Sequence, residues 1–234
     1  MRKDVITLTD THPPLRRGGP AAWALASGIT GFVADVLLVL DQLTENVGEV
    51  RQSFMWLPGA IAWVMVVQFL TLIPVALALR RWLPPTRSVR LATAVAVGAM
   101  LAVAIFQLLF LTGVLEFDVQ VQLVVATFLL VSAWVIVVSS TGHRHGTLPR
   151  SVTRFGLLLG ASYPVGALIA AVGLLFSSGS AVQLAFVVPG AIIAGFGWLA
   201  LPVWPLVLVR RVFNKPPSHI ANEEGTSPTT QARP

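Results

Sequence analysis

The chain contains no cysteine, which excludes disulfides, thiol catalysis and thiolate metal sites. It is short of charge. Asp, Glu, Lys and Arg make up 11% of its 234 residues, less than half of the roughly 25% typical of a soluble domain. So few charges cannot dress a water-facing surface of this size. Tyr163 is the one tyrosine, and the histidines are His12, His143, His145 and His219. All four lie in the tails or in one loop, so no Ser/His/Asp set can be assembled. No His-Glu-x-x-His, Gly-x-Ser-x-Gly or Walker pattern occurs either. What the chain has in abundance is apolar residues, 55% of the total, with a mean hydropathy of +0.79. This composition points to an integral membrane protein.

A hydrocarbon core of about 30 Å needs roughly 20 apolar residues in helix. Six segments meet that length: about 21–43, 56–79, 91–115, 121–139, 155–176 and 182–209. A membrane-barrel strand is about 9–11 residues of alternating character, and none of these runs alternates. The expected fold class is therefore all-α, a polytopic bundle of six transmembrane helices within one domain, 21–213. A polar N-terminal tail, 1–20, precedes it. The C-terminal tail, 214–234, reads NKPPSHIANEEGTSPTTQARP and is expected to be disordered, because it has almost nothing apolar to bury.

The basic residues set the orientation. Arg2, Lys3, Arg16 and Arg17 precede the first span. Arg80, Arg81, Arg87 and Arg90 lie between the second and third, and Arg144, Arg150 and Arg154 between the fourth and fifth. Arg210, Arg211, Lys215 and Arg233 follow the sixth. Fifteen of the sixteen basic residues thus share one face, and only Arg51 opposes them. Both termini are expected in the cytoplasm. Asp41, Glu45, Glu49, Glu116 and Asp118 fall on the other face.

Polar groups inside apolar spans are costly and mark the places to look for a site. Asp35 is the one formal charge well inside a span. It shares a helix face with Ala24, Gly28 and Gly31, the kind of small residues that let a second helix come close. Gln42, Glu45 and Glu49 continue that stripe outward. Two readings of Asp35 follow: a cation or proton site with an acidic vestibule, or a protonated, hydrogen-bonded group that holds helices together. Gln68, Gln107 and Tyr163 are the other candidates. With Asp35 they form either one intramembrane polar pocket or four separate interhelical hydrogen bonds, worth about 0.6 kcal/mol each. Trp63, Trp134, Trp198 and Trp204 lie deep in the spans and are expected to pack in the interior.

Two further patterns stand out. Gly156, Gly160, Ala167 and Ala171 form a small-residue packing stripe, suited to contact within the bundle or in a dimer. Spans two and six share a Pro-Gly-Ala-Ile start, at Pro58 and Pro189, and an Arg-Arg end followed by Pro-Pro. Either a duplicated hairpin or the general habits of such spans accounts for that. His143 and His145, two apart in a loop, lack the further ligands a metal needs. No cofactor and no metal are expected.

The six-span order, and LPRSVTRFGLLLGASY running from the fourth loop into span five, resemble the actinobacterial proteins of domain-of-unknown-function family 4386. The resemblance covers about 22–213. It implies a six-span membrane protein, implies no activity, and transfers no functional residue. The expected setting is a bacterial cytoplasmic membrane. The expected partners are the lipid bilayer and a second copy or another membrane protein, with no nucleic acid and a small-molecule or ion ligand left open. Two function classes fit: a non-enzymatic transporter-like or partner-binding module, and an intramembrane enzyme acting on a lipid or isoprenoid through Asp35 and the outer-face carboxylates.

The charge asymmetry generates a direct test. Reporter fusions after Arg17, Arg87, Arg150 and Lys215 should read cytoplasmic, and one after Glu49 external. A cytoplasmic signal at Glu49 would break the six-span topology.

Overall fold

The computed structural model describes residues 18–45 and 56–213. The C-terminal tail, residues 1–17 of the N-terminal tail and Arg51 lie outside the described residues, as do Glu49 and the side chain of Glu45; residues 18–20, expected in the tail, already belong to the first helix. Among the described residues helix is the one regular element, joined by short turns, and there is no strand. The helices are α1 (Gly18–Glu45), α2 (Leu57–Trp82), α3 (Arg87–Leu111), α4 (Phe117–Arg144), α5 (Arg150–Gly173), α6 (Ala181–Leu199) and the short α7 (Val203–Leu208), which runs into a π-helical turn, Val209–Phe213. The first six are long and apolar enough to cross a membrane. This is the architecture of a multi-pass integral membrane protein, in which helix satisfies its own backbone without water.

Local chemistry sets several boundaries. Thr86 caps α3 by accepting from Val89 N at 3.3 Å. Ser180 caps α6 by accepting from Gln183 N at 3.1 Å, and the Gln183 side chain returns to Gly179 N at 2.6 Å. This is a variant of the reciprocal Ser-x-x-Gln cap. Helix α4 ends where Gly146 adopts φ +63°, a left-handed position that glycine takes without Cβ strain. Thr147 N then closes on Gly142 O at 3.0 Å.

Helices adjacent in sequence pack side by side from α1 through α6, and α5 against α6 is the most extensive contact. The ring is closed differently at its two ends. At one end α7 packs against both α1 and α5. A Cβ placed on Gly28 would lie 2.5 Å from Leu206, and one on Gly31 would lie 2.6 Å from Pro202. Helix α6 has no comparable contact with α1. The closed half is filled by Trp134, Trp204, Leu72, Leu79, Val138 and Leu208, all buried. Trp134 and Trp204 meet edge to face with centroids 5.5 Å apart.

The last span was expected to run unbroken over 182–209. It breaks at 200–202. Pro202 and Pro205 each lack an amide hydrogen, and each ring crowds the carbonyl four residues earlier. The helix stops at Leu199 and restarts so that Pro205 sits in the first turn of α7, where no amide is needed. The shared Pro-Gly-Ala-Ile stretches are not structurally equivalent: Pro58 lies at the start of α2, whereas Pro189 lies inside α6. Trp63 also departs from expectation. It is 56% exposed, whereas Trp134 and Trp204 are buried, because the apolar runs are uniform enough that depth along a span does not decide which face is turned inward.

The nine arginines among the described residues all sit, exposed, at the ends of helices that meet on the α7 side. At that end Trp82 and Phe213 make an edge-to-face contact at 5.2 Å. Asp41, Glu116 and Asp118 lie at the opposite, arginine-poor end.

The α5–α6 contact depends on glycine. A Cβ at Gly190 would lie 2.5 Å from Ala170 N and 2.7 Å from Gly166 O. One at Gly98, on the exposed side of α3, would meet nothing within 4 Å. Gly190→Leu should therefore destabilise the detergent-solubilised protein by about 1–3 kcal/mol, the usual cost of overpacking, while Gly98→Leu does not. Equal melting midpoints for the two variants would show that α5 and α6 do not pack this closely.

Candidate functional site

The difference between the two ends of the ring creates a cleft. In the arginine-poor half α1 and α6 stand apart, and between them opens a cavity of about 530 Å³. That volume lies within the roughly 300–1,000 Å³ of pockets that enclose small organic ligands. Its described wall comes from α1, α2, α3, α4 and α6. The inner part is apolar, formed by Ala62, Met65, Val124, Val125, Gly195 and Trp198. Four polar side chains are on the wall: Asp41 and Gln42 near the end of α1, Gln107 on α3 and Gln120 on α4.

Trp198 is held from behind. Its ring lies 4.5 Å from Phe128 and 6.4 Å from Tyr163, centroid to centroid. Phe128 and Tyr163 meet edge to face at 4.5 Å, and the Tyr163 hydroxyl donates to Val125 O at 3.2 Å. This aromatic trio fixes the floor. Gly195 opens it, because a Cβ there would meet nothing within 4 Å.

Two glutamines differ from the rest of the wall. Gln107 is 2% exposed and Gln120 is 6% exposed. Gln107 Nε2 donates to Met65 Sδ at 3.2 Å, a weak acceptor, which leaves the Gln107 carbonyl turned to other use. The Gln120 amide has no hydrogen-bond partner among the described residues. Gln107 stands six residues before Gly113 and Gln120 seven after it, so the α3–α4 hairpin sets both at nearly the same depth.

Of the four residues singled out in the sequence, Gln107 lines this cavity and the other three do not. Asp35 is half-buried, one turn below Leu38, the deepest α1 residue on the wall. It therefore lies beneath the floor, beside the Gly31–Pro202 contact, and has no hydrogen bond or ion pair among the described residues. Gln68 is one turn below Met65. Its amide is tucked against Gly31, and its backbone oxygen accepts from Ser27 Oγ at 3.3 Å and Thr71 Oγ1 at 2.9 Å. Tyr163 belongs to α5, which contributes nothing to the wall. The four are therefore spread over separate contacts. Gln120 is the site residue that sequence reading passed over. It sits in the first turn of α4, where a glutamine reads as an ordinary boundary residue.

Of the small-residue stripe of α5, the two glycines are used inside the bundle, whereas Ala171 is exposed. Gly156 faces Ser139 and Trp204, and Gly160 faces Ile136. No group of three or more His, Asp or Glu suited to a metal ion occurs among the described residues.

Comparison with protein-family models, with curated proteins and with solved structures gives no match to this chain.

Proposed function

We propose that this is a non-enzymatic membrane protein that takes one hydrocarbon chain of a lipid from the surrounding leaflet into the cavity between α1 and α6. The observation that carries this reading is the cavity itself: lined mostly by apolar side chains, with few polar groups, and flanked by two helices that do not pack on each other. An apolar cavity of this kind favours an apolar guest. The exposed Val39, Leu43 and Leu199 beside it continue the apolar surface from the helix exteriors to the mouth.

The basic asymmetry supports a cytoplasmic location for the arginine-rich end. The cavity then opens to the outer leaflet, and both termini lie inside. A cytoplasmic membrane and the kinship suggested by the family-4386 resemblance fit this arrangement. The enzyme reading has less support. Among the described residues Asp41 is the one carboxylate on the wall, and Asp35 lies below the floor. A lone rim carboxylate has no partner with which to divide acid and base roles.

Trp198 supplies the test. In nanodiscs, lipids brominated along the chain should quench a component of tryptophan emission that is missing in Trp198→Phe. Gly195→Leu, which fills the floor without a clash, should remove most of that quenching at unchanged melting temperature. Asp35→Asn should leave it intact. Quenching of Trp198 that ignores Gly195→Leu would place the lipid chain outside the cavity and overturn the proposal.

A further inference from the structure

We infer that the lipid accepted by this cavity ends in an uncharged hydroxyl, as in a long-chain alcohol or a diacylglycerol, and that the side chains of Gln107 and Gln120 bind that group. This inference rests on the chain-binding reading and adds the chemistry of the polar end.

Three observations carry it. First, both glutamines are more than nine-tenths buried and line the cavity. Neither amide is among the side-chain atoms closed off without a partner, so both are open to the cavity, and a purely apolar guest would leave them unmet at a cost of about 1–3 kcal/mol for each group. Second, the two amides ask for a particular partner. The Gln107 amino group is engaged by Met65 sulfur, so its carbonyl is the free atom, and a carbonyl accepts only from a donor. Gln120 offers both an acceptor and a donor. A hydroxyl donates one hydrogen and accepts others, so it can give its proton to Gln107 Oε1 and receive from Gln120 Nε2. Third, the wall does not suit an anion. The wall carries the carboxyl group of Asp41, and no Lys or Arg is found on its described part. A phosphate would enter a low-dielectric cleft with no cation on the described wall to offset it. The placement is consistent as well. Both glutamines lie within about one turn of the facing ends of α3 and α4, whereas Trp198 lies at the far end of α6, so a chain reaching toward Trp198 leaves its polar end by the glutamines.

The test compares three probes that share one hydrocarbon chain, brominated at its middle: the alkane, the primary alcohol and the alkyl phosphate. Each is titrated into the detergent-solubilised full chain, and Trp198 quenching is read against Trp198→Phe. The alcohol should bind about tenfold tighter than the alkane, as two hydrogen bonds of ordinary net worth imply, and the phosphate should bind no better than the alkane. Gln107→Leu combined with Gln120→Leu should bring the alcohol to the level of the alkane measured on the same variant, abolishing the alcohol-over-alkane ratio. Should that double variant fail to fold, the order of the three probes on the unmodified protein decides. An alkane that binds while the alcohol gains nothing over it, or a phosphate that binds tightest, overturns the hydroxyl inference and leaves chain binding standing. If none of the three quenches Trp198, the chain-binding reading fails, and this inference with it.

Discussion

The close seating of Pro202 and Leu206 against Gly28 and Gly31 governs the shape of the whole bundle. Gly28 and Gly31 bring no side chain of their own, so Pro202 and Leu206 press their side chains directly onto the α1 backbone. That contact draws the first and last spans together at the arginine-rich end and completes a ring of helices. The interior of that half is then packed with large side chains, with the Trp134–Trp204 pair among them. Everything that distinguishes the other half follows from how the chain leaves this contact.

The departure is set by proline. A continuous helix through 200–202 would carry α6 along the line of α7 and keep it beside α1. The break at Pro202 frees α6 to follow α5 instead, through Gly166, Gly173, Gly190 and Gly197. The glycines of α5 and α6 make that pairing as close as the one between α1 and α7, but in a different direction. One span therefore serves two neighbours: its inner part holds α1, and its outer part holds α5. The space left between α1 and α6 is the geometric remainder of that division.

Much of this was legible in the sequence, and the illegible part has a physical character. Hydropathy and charge are local properties, so six apolar runs and a one-sided distribution of arginines can be read directly. Gln107 stands out for the same reason, being polar within an apolar run. The break at 200–202 does not, because proline barely changes the hydropathy of its surroundings. Gln120 was hidden by its place at a helix start, where polar residues are ordinary; only packing separates buried Gln120 from exposed Gln122. Asp35 drew attention by its charge, yet the cavity floor runs one turn above it. That level is decided by where α7 meets α1, a contact between residues far apart in the chain. Trp63 shows the same limit: its depth along the span was apparent, but the direction of its ring was not.

The packed half has an electrical consequence. A cavity that stops at the Phe128–Tyr163–Trp198 cluster never becomes a pore, because tightly filled protein lies between its floor and the arginine-rich surface. The voltage across a bilayer acts on charge with about 2.3 kcal/mol per elementary charge per 100 mV, and that half presents ions with a dry barrier against it. On the proposed function, a guest would enter and leave the cleft from the side without opening a path through that half.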